Sequence, residues 1–459
     1  MTDTEINAII QKQKNYFKSG ETLSVDFRIN ALNRLKEYIT KYENEILTAL
    51  ESDLGKCASE SYMCEIGLVK SEISYMLKHV RRFSKEKRVK TPIANYVSRS
   101  FVKPVPYGCV LIMSPWNYPF LLTIDPLVDA IAAGNCAVVK PSAYSPATSR
   151  AIERLITECF SSEYVSVVTG GRKENTCLLN ADFDYIFFTG SKNVGKEVLK
   201  ATAEKLIPVT LELGGKSPCI VDETANIALA ARRIVFGKFI NCGQTCVAPD
   251  YIYCHKKVKD KLISELKQQI ALQYGENPLE NTGYGKIISE KHFSRICSLI
   301  EFDKVVVGGK CDESMQKIEP TVMDNITWSD SVMQEEIFGP LLPILTYTDM
   351  DEIIDKINSM DSPLALYIFS SNTKTIKKIT SQVQYGGGCI NDTLVHLASS
   401  EMGFGGVGAS GMGAYHGKVG FDTFSHYKSI IDKKTFIDLP IRYRPYNKLY
   451  DRLIRMFVK

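Results

Sequence analysis

From Tyr107 onward this 459-residue chain alternates short apolar runs with helix-like stretches, and that alternation constrains the fold more than any other feature. GCVLIM, CAVVK, YVSVV, YIFF, PVTLEL and PCIV follow one another, most of them a helix-length apart. Runs that are apolar throughout belong to strands buried on both faces. Strands separated by helices are most simply joined as a parallel sheet covered on both sides. A second alternating set opens near Asn226 and includes DYIYC, KVVVGG, PILTY and LALYIFS. The sequence thus predicts two α/β domains joined near residue 214, with no internal repeat and no low-complexity linker.

The first ninety residues carry a helical period instead. Leu32, Leu35, Ile39, Tyr42, Ile46 and Leu50 recur at threes and fours, which predicts one helix with a buried face, closed by Gly55. Met63, Ile66, Val69, Ile73 and Met76 predict a second. The basic, weakly periodic stretch Lys85 to Pro106 reads as an extended crossover. GFGGVGASGMG, around Gly403, is too glycine-dense for a helix or a strand and reads as a loop passing close to another surface. In the C-terminal IRYRPYNKLYDRLIRMFVK, Pro445 and Asp451 interrupt a basic amphipathic pattern. That predicts an arm docking on the body or on a partner subunit rather than a membrane-surface helix.

Charge and cysteine content exclude several classes. Lys plus Arg number 56 and Asp plus Glu 52, a net +4 that supplies no concentrated basic face for nucleic acid. Thirteen cysteines are scattered with no C-x-x-C spacing, as expected of reduced thiols in a cytoplasmic protein. The N-terminus lacks the basic start and apolar core of a secretory leader. PFLLTIDPLVDAIAAG, the most apolar stretch, is interrupted by Asp125, Pro126 and Asp129, so no membrane span is expected.

Several residues could carry chemistry. Cys246, in FINCGQTCVAPDY, sits among small and polar residues beyond a turn at Gly243, unlike Cys219 within the apolar PCIV. It could be a nucleophile or a packing residue. Cys242, Cys246, Cys254 and His255 could nominally ligate zinc, but the paired spacing of structural zinc sites is missing, so no metal is expected. Glu212 ends an apolar strand before two glycines, at the edge where α/β proteins place functional groups. Asn117, between Pro115 and Pro119, could present a rigid amide to an oxyanion or could simply serve a turn. Gly190 and Gly195 in FFTGSKNVGKEV bracket a strand-to-helix turn that suits a pyrophosphate. Lys140 could reach a ribose or phosphate, and Glu336 and Phe338 in EEIFGP could clamp and stack on a nucleotide.

SPWNYP, VVKPS, FTGSxxxG, LELGGKSP, the GQTC segment and EEIFGP, in this order, resemble the aldehyde dehydrogenases. FGGVGASGMGAYHGKVGFDTFSH, with Ile390 to Asp392 upstream, is similar to the class 3 branch of fatty and aromatic aldehyde dehydrogenases. The resemblance implies an α/β fold: a Rossmann-type cofactor domain (1–83 and 107–214) and an α/β catalytic domain (215–423). Bridging, oligomerisation strands (84–106 and 424–436) and a C-terminal tail (437–459) complete it. It implies Cys246 as nucleophile, Glu212 as general base, and Asn117 with the Cys246 backbone N–H as oxyanion hole. Lys140, Gly190, Ser191, Val194, Gly195, Glu336 and Phe338, with Trp116 and Leu213 of the same segments, would contact NAD or NADP. Lys140 is followed by Pro141, Ser142 and Ala143, where many members place a ribose-binding glutamate, so NADP is expected to serve as well as NAD. A homodimer acting on an apolar aliphatic or aromatic aldehyde is implied; Tyr107, Tyr118 and Phe120, near Asn117 in sequence, could line an aldehyde tunnel or belong to the core. Glu212 argues against a relative that transfers the acyl group to coenzyme A. Cys246, Glu212 and Asn117 together argue against a catalytically silent structural protein.

Overall fold

The computed structural model describes residues 1–458, and it opens with a layer of helices. Asp3–Ser19, Val25–Lys41, Glu43–Leu54 and Gly67–Phe83 bury Ile6, Leu32, Leu35, Ile46, Leu50, Ile73 and Val80. The run predicted as one helix is two. The chain leaves helical geometry at Tyr42 (φ −100°, ψ 11°), whose hydroxyl donates to the Glu158 carboxylate, so both pieces can pack on one core. Gly55 closes the second piece in the left-handed region (φ 67°). Met63, predicted on the buried face, is exposed, because the helix widens to a π turn over Tyr62–Ile66 that turns Glu65 inward instead.

The basic stretch that follows is not a plain crossover. It forms β1 (Lys87–Val89) and β2 (Ser98–Pro106), an antiparallel pair. β3 (Cys109–Met113), β4 (Cys136–Lys140), β5 (Val165–Val167), β6 (Tyr185–Thr189) and β7 (Val209–Glu212) then make a parallel sheet in the order β7-β6-β3-β4-β5. Val110 and Ile112 of β3 face one core while Cys109, Leu111 and Met113 face another, which is why these strands read as unbroken apolar runs. The strand order reverses between β3 and β6, and in such a sheet the crevice for a ligand opens beyond the carboxyl ends at that point.

The second sheet holds β8 (Pro218–Val221), β9 (Tyr251–His255), β10 (Val305–Val307), β13 (Thr321–Met323), β14 (Leu341–Tyr347), β15 (Ala365–Phe369) and β16 (Gly387–Ile390). Their order is β10-β13-β14-β9-β8-β15-β16, with only β10 antiparallel; β11 (Cys311–Asp312) and β12 (Lys317–Ile318) form a separate hairpin. The glycine-rich segment, predicted as a loop, adds β17 (Gly411–Met412), antiparallel to β7 in the first sheet. Its density of glycine permits that approach: a Cβ on Gly411 (φ 151°) would lie 2.4 Å from the Leu211 carbonyl. β18 (Ser425–Lys433) then pairs with β2 along its whole length and completes a three-stranded sheet whose outer edge is open.

Among the described residues, no helix is long and apolar enough to cross a membrane. The tail, expected to dock on the body or on a partner subunit, forms the helix Lys448–Phe457, which leaves Leu449, Met456 and Phe457 exposed on its own chain. Lys459 lies outside the described residues.

Candidate active site

At the crevice between the sheets a cavity of about 640 Å³ opens. The turn after β3 contributes Pro115, Trp116 and Asn117, the end of β6 Thr189, Gly190 and Ser191, and the end of β7 Glu212 to Gly215. The second sheet's side supplies Cys246, His292, Arg295, Glu336 and Phe338. Leu122, Phe404 and Tyr415 add apolar wall.

Cys246 is partly exposed to this cavity and sits on a loop with little freedom to move. Asn241, Cys242 and Gly243 take positive φ values in succession (52°, 52° and 72°). At Gly243 the requirement is absolute, since a Cβ would lie 2.2 Å from the Gly339 carbonyl. Gln244 locks the turn from inside: its Nε2 donates to the carbonyls of Asn241 (3.0 Å) and Lys286 (3.1 Å), and its Oε1 accepts from Ile288 N–H (3.0 Å). The Tyr118 hydroxyl pairs with Thr245 Oγ1 at 2.8 Å, and the Tyr367 hydroxyl donates to the Val247 carbonyl at 2.5 Å. Burial, then the Glu336 and Glu212 carboxylates, push the Cys246 thiol up to about 12, against backbone N–H groups that pull it down.

Asn117 is fixed by partners rather than by its flanking prolines alone. Its carbonyl accepts from Lys56 Nζ (3.0 Å) and Asn241 Nδ2 (2.8 Å), and its own amide donates to the Gln244 carbonyl at 3.0 Å. An amide nitrogen has two hydrogens, so one donor is left for the cavity. Lys56 is itself fully buried and pairs with Glu65 at 2.6 Å. The other Glu65 oxygen accepts the N–H groups of Phe120 and Leu121, at the start of the helix Leu121–Ala133.

Glu212 stands at the cavity edge of β7 with both carboxylate oxygens buried and without a partner, and burial alone raises its pKa well above the ordinary range. Glu336 accepts from Gly215 N–H at 3.2 Å and is pushed up to about 8, first by burial and then by Asp250. A Cβ on Gly214 would lie 2.3 Å from its Oε2, so that carboxylate can reach the crevice only past a glycine. Ser191 caps the helix Lys192–Lys205 by accepting from Val194 N–H, leaving the remaining first-turn N–H groups at the mouth of the cavity. Phe338 adopts φ 49° and meets Trp116 edge-on at 5.4 Å between ring centres.

The sequence-family model described as aldehyde dehydrogenase family matches residues 1–430. The chain belongs to the aldehyde dehydrogenase family. It is 48% identical over 459 residues to 4,4'-diaponeurosporen-aldehyde dehydrogenase of Staphylococcus aureus, covering 99% of this chain and 100% of the relative. It is 43% identical over 424 residues to aldehyde dehydrogenase family 3 member A2 of Rattus norvegicus, covering 92% and 88%. In structure it matches the substrate-bound state of Staphylococcus aureus AldH at a TM-score of 0.97, with 47% identity and 99% coverage of each chain. This aldehyde dehydrogenase is thus class 3-like, an oxidoreductase that converts aldehydes to carboxylic acids with a nicotinamide dinucleotide as hydride acceptor.

Of the residues anticipated from sequence, the aldehyde dehydrogenase cavity gathers Trp116, Asn117, Gly190, Ser191, Glu212, Leu213, Cys246, Glu336 and Phe338. Lys140, Val194 and Gly195 lie outside its lining. The Lys140 ammonium folds back onto the Pro141 carbonyl at 2.8 Å, and burial pulls its pKa down to about 8. The charge of Glu174 opposes that fall, an influence that the position of Ala143 does not reveal. Val194 is exposed one turn into its helix. Gly195 packs under the sheet, where a Cβ would meet Leu213 at 2.8 Å. Tyr107, Tyr118 and Phe120 do not line the cavity. Tyr107 packs against Tyr185, Tyr118 is tied to Thr245 and Phe120 is core, while the turn after β3 gives the cavity Pro115, Trp116 and Asn117. Sequence reasoning missed His292 and Arg295, which stand on a segment distant from the motifs, and Leu122, Phe404 and Tyr415, which lie in or beside quoted motifs but carry only apolar or aromatic side chains that read as packing. It also missed Lys56 and Gln244, whose only signal was a charged or amide residue in an apolar or turn context.

Proposed function

We propose that Cys246 is the nucleophile, Glu212 the general base, and Asn117 with the Cys246 backbone N–H the oxyanion hole of this aldehyde dehydrogenase. The single observation that carries the reading is the meeting of these three residues, from three segments of the chain, at one crevice. Cys246 Sγ attacks the aldehyde carbonyl, and the free Asn117 hydrogen and the loop N–H receive the developing oxyanion. A bound nicotinamide dinucleotide would supply the hydride acceptor, and Glu212 deprotonates the water that hydrolyses the thioester left on Cys246. Burial raises the Glu212 pKa above the ordinary carboxylate range, which suits a base that must take a proton from water and return it.

The fit of the residues to a dinucleotide rests on the helix start at Ser191, the glycines at 190 and 214, and the buried Glu336. Ser191 and its neighbouring N–H groups would hold phosphates, and Glu336 and Phe338 the nicotinamide riboside side. Lys140, Val194 and Gly195 would serve the adenosine end beyond the cavity lining. The first sheet with its helices is the cofactor domain (1–83 and 107–214), the second the catalytic domain (215–423). The three-stranded sheet is the bridge through which two copies form a homodimer in the cytoplasm. An apolar aldehyde, aliphatic or aromatic, fits the wall of Trp116, Leu122, Phe404 and Tyr415, and the Staphylococcus aureus relative's name specifies 4,4'-diaponeurosporen-aldehyde.

The deciding experiment is Cys246→Ala. Aldehyde-dependent reduction of NAD is expected to vanish while dinucleotide binding, followed by fluorescence quenching, persists. Retained turnover would exclude Cys246 as the nucleophile.

A further inference from the structure

Two cysteines outside the active site lie against each other. Cys297 ends the helix Glu290–Cys297 and Cys311 opens β11, and their Sγ atoms are 3.1 Å apart. A formed disulfide needs about 2.05 Å, so roughly 1 Å of closure joins them. Both thiols are free, Cys311 exposed and Cys297 half-buried. Their backbones are anchored on either side. Ile300 N–H donates to the Cys297 carbonyl at 3.1 Å, and Glu319 N–H to the Lys310 carbonyl at 2.9 Å, while Lys310 N–H reaches the Glu319 carboxylate at 3.1 Å. The contact is therefore one between fixed elements.

We propose that Cys297 and Cys311 are a modification site at which a low-molecular-weight disulfide installs a reversible intramolecular disulfide bond. Deprotonated Cys311, the more exposed thiol, attacks one reagent sulfur and displaces the other as a thiolate. Cys297 Sγ then attacks the Cys311 sulfur of the mixed disulfide and displaces the second thiolate. The two protein sulfurs are oxidised to one S–S bond, the reagent is reduced to two thiols, and the two protons lost by the protein end on them. Burial raises both thiols, Cys311 to about 12, so the exchange accelerates with rising pH.

The bond fastens a helix that also forms part of the cavity wall. Its His292 and Arg295 line the active site, and Arg295 holds the Glu335 carboxylate at 2.8 Å and the Ile337 carbonyl at 2.6 Å, on either side of Glu336.

The test uses the full chain, treated with oxidised glutathione at about pH 8, alkylated and digested with trypsin without reductant. Peptide 296–304 joined to peptide 311–317, two hydrogens lighter than their sum and separated by dithiothreitol, is the expected product. Closing a loop of about fifteen residues should raise Tm by roughly 3 °C in a chain of this length. Cys297→Ser and Cys311→Ser should abolish both changes and leave aldehyde oxidation intact. Recovery of both peptides alkylated, or of either carrying glutathione alone, overturns the proposal.

Discussion

The sulfur proposed to act as a thiolate sits where burial disfavours that form. With Cys246 pushed up to about 12 by burial and two carboxylates, only a minute fraction is ionised at neutral pH. Since alkylation follows the thiolate, inactivation of the dinucleotide-free enzyme by iodoacetamide should keep accelerating with pH beyond about 9. A rate that levels off near pH 7 would show a thiol already activated before ligands bind. Glu212→Gln should slow thioester hydrolysis by about a hundredfold or more, the usual scale of a lost general base, with the burst of reduced dinucleotide preserved. Unchanged kinetics would remove Glu212 from that role. At this scale the sequence was informative where a cavity residue leaves a local mark, as with Cys246 among small polar neighbours. Lys56, which reaches the Asn117 carbonyl from sixty-one positions away, leaves no such mark.

Among the elements, the π turn over Tyr62–Ile66 has the widest reach. It points Glu65 inward to meet Lys56 and two N–H groups of the helix that follows Asn117. Lys56→Met would leave that carboxylate buried without its cation, at a cost of about 3–5 kcal/mol. Chemical denaturation is expected to show that loss, and kcat should fall with it because the Asn117 carbonyl loses one of its two donors. The buried strands were legible as elements because burial on both faces leaves an unbroken apolar run. The break at Tyr42 and the widening at Tyr62 were not, since both arise from contacts with residues far along the chain, such as Glu158. Apolar period alone cannot record them.

For the molecule as a whole, Glu72, Asp125, Asp129 and His416 form a buried cluster that joins segments more than three hundred residues apart. Burial and Asp125 push Glu72 up to about 7, and burial with Glu72 raises Asp129 well above the carboxylate range. Burial lowers His416, but Asp125 and Glu72 outweigh it, so its pKa rises. In each case the folded state holds its proton to higher pH than the unfolded chain, and for Glu72 the stability this contributes is lost as pH rises from about 4.5 to about 7. Glu72→Gln should flatten that fall by on the order of 2 kcal/mol, read as Tm at both ends of the window. The two-sheet plan was visible from the alternation, and the strand order that opens the crevice was not, because which strands become neighbours depends on contacts between distant segments. β17 illustrates the point: its two residues close the edge of the first sheet next to Glu212, although the rest of that sheet is complete by residue 212. During synthesis on the ribosome, then, the first sheet must wait unfinished until nearly the entire polypeptide has emerged. A chain terminated near residue 405 should be recovered in inclusion bodies rather than as a smaller, well-folded nucleotide binder.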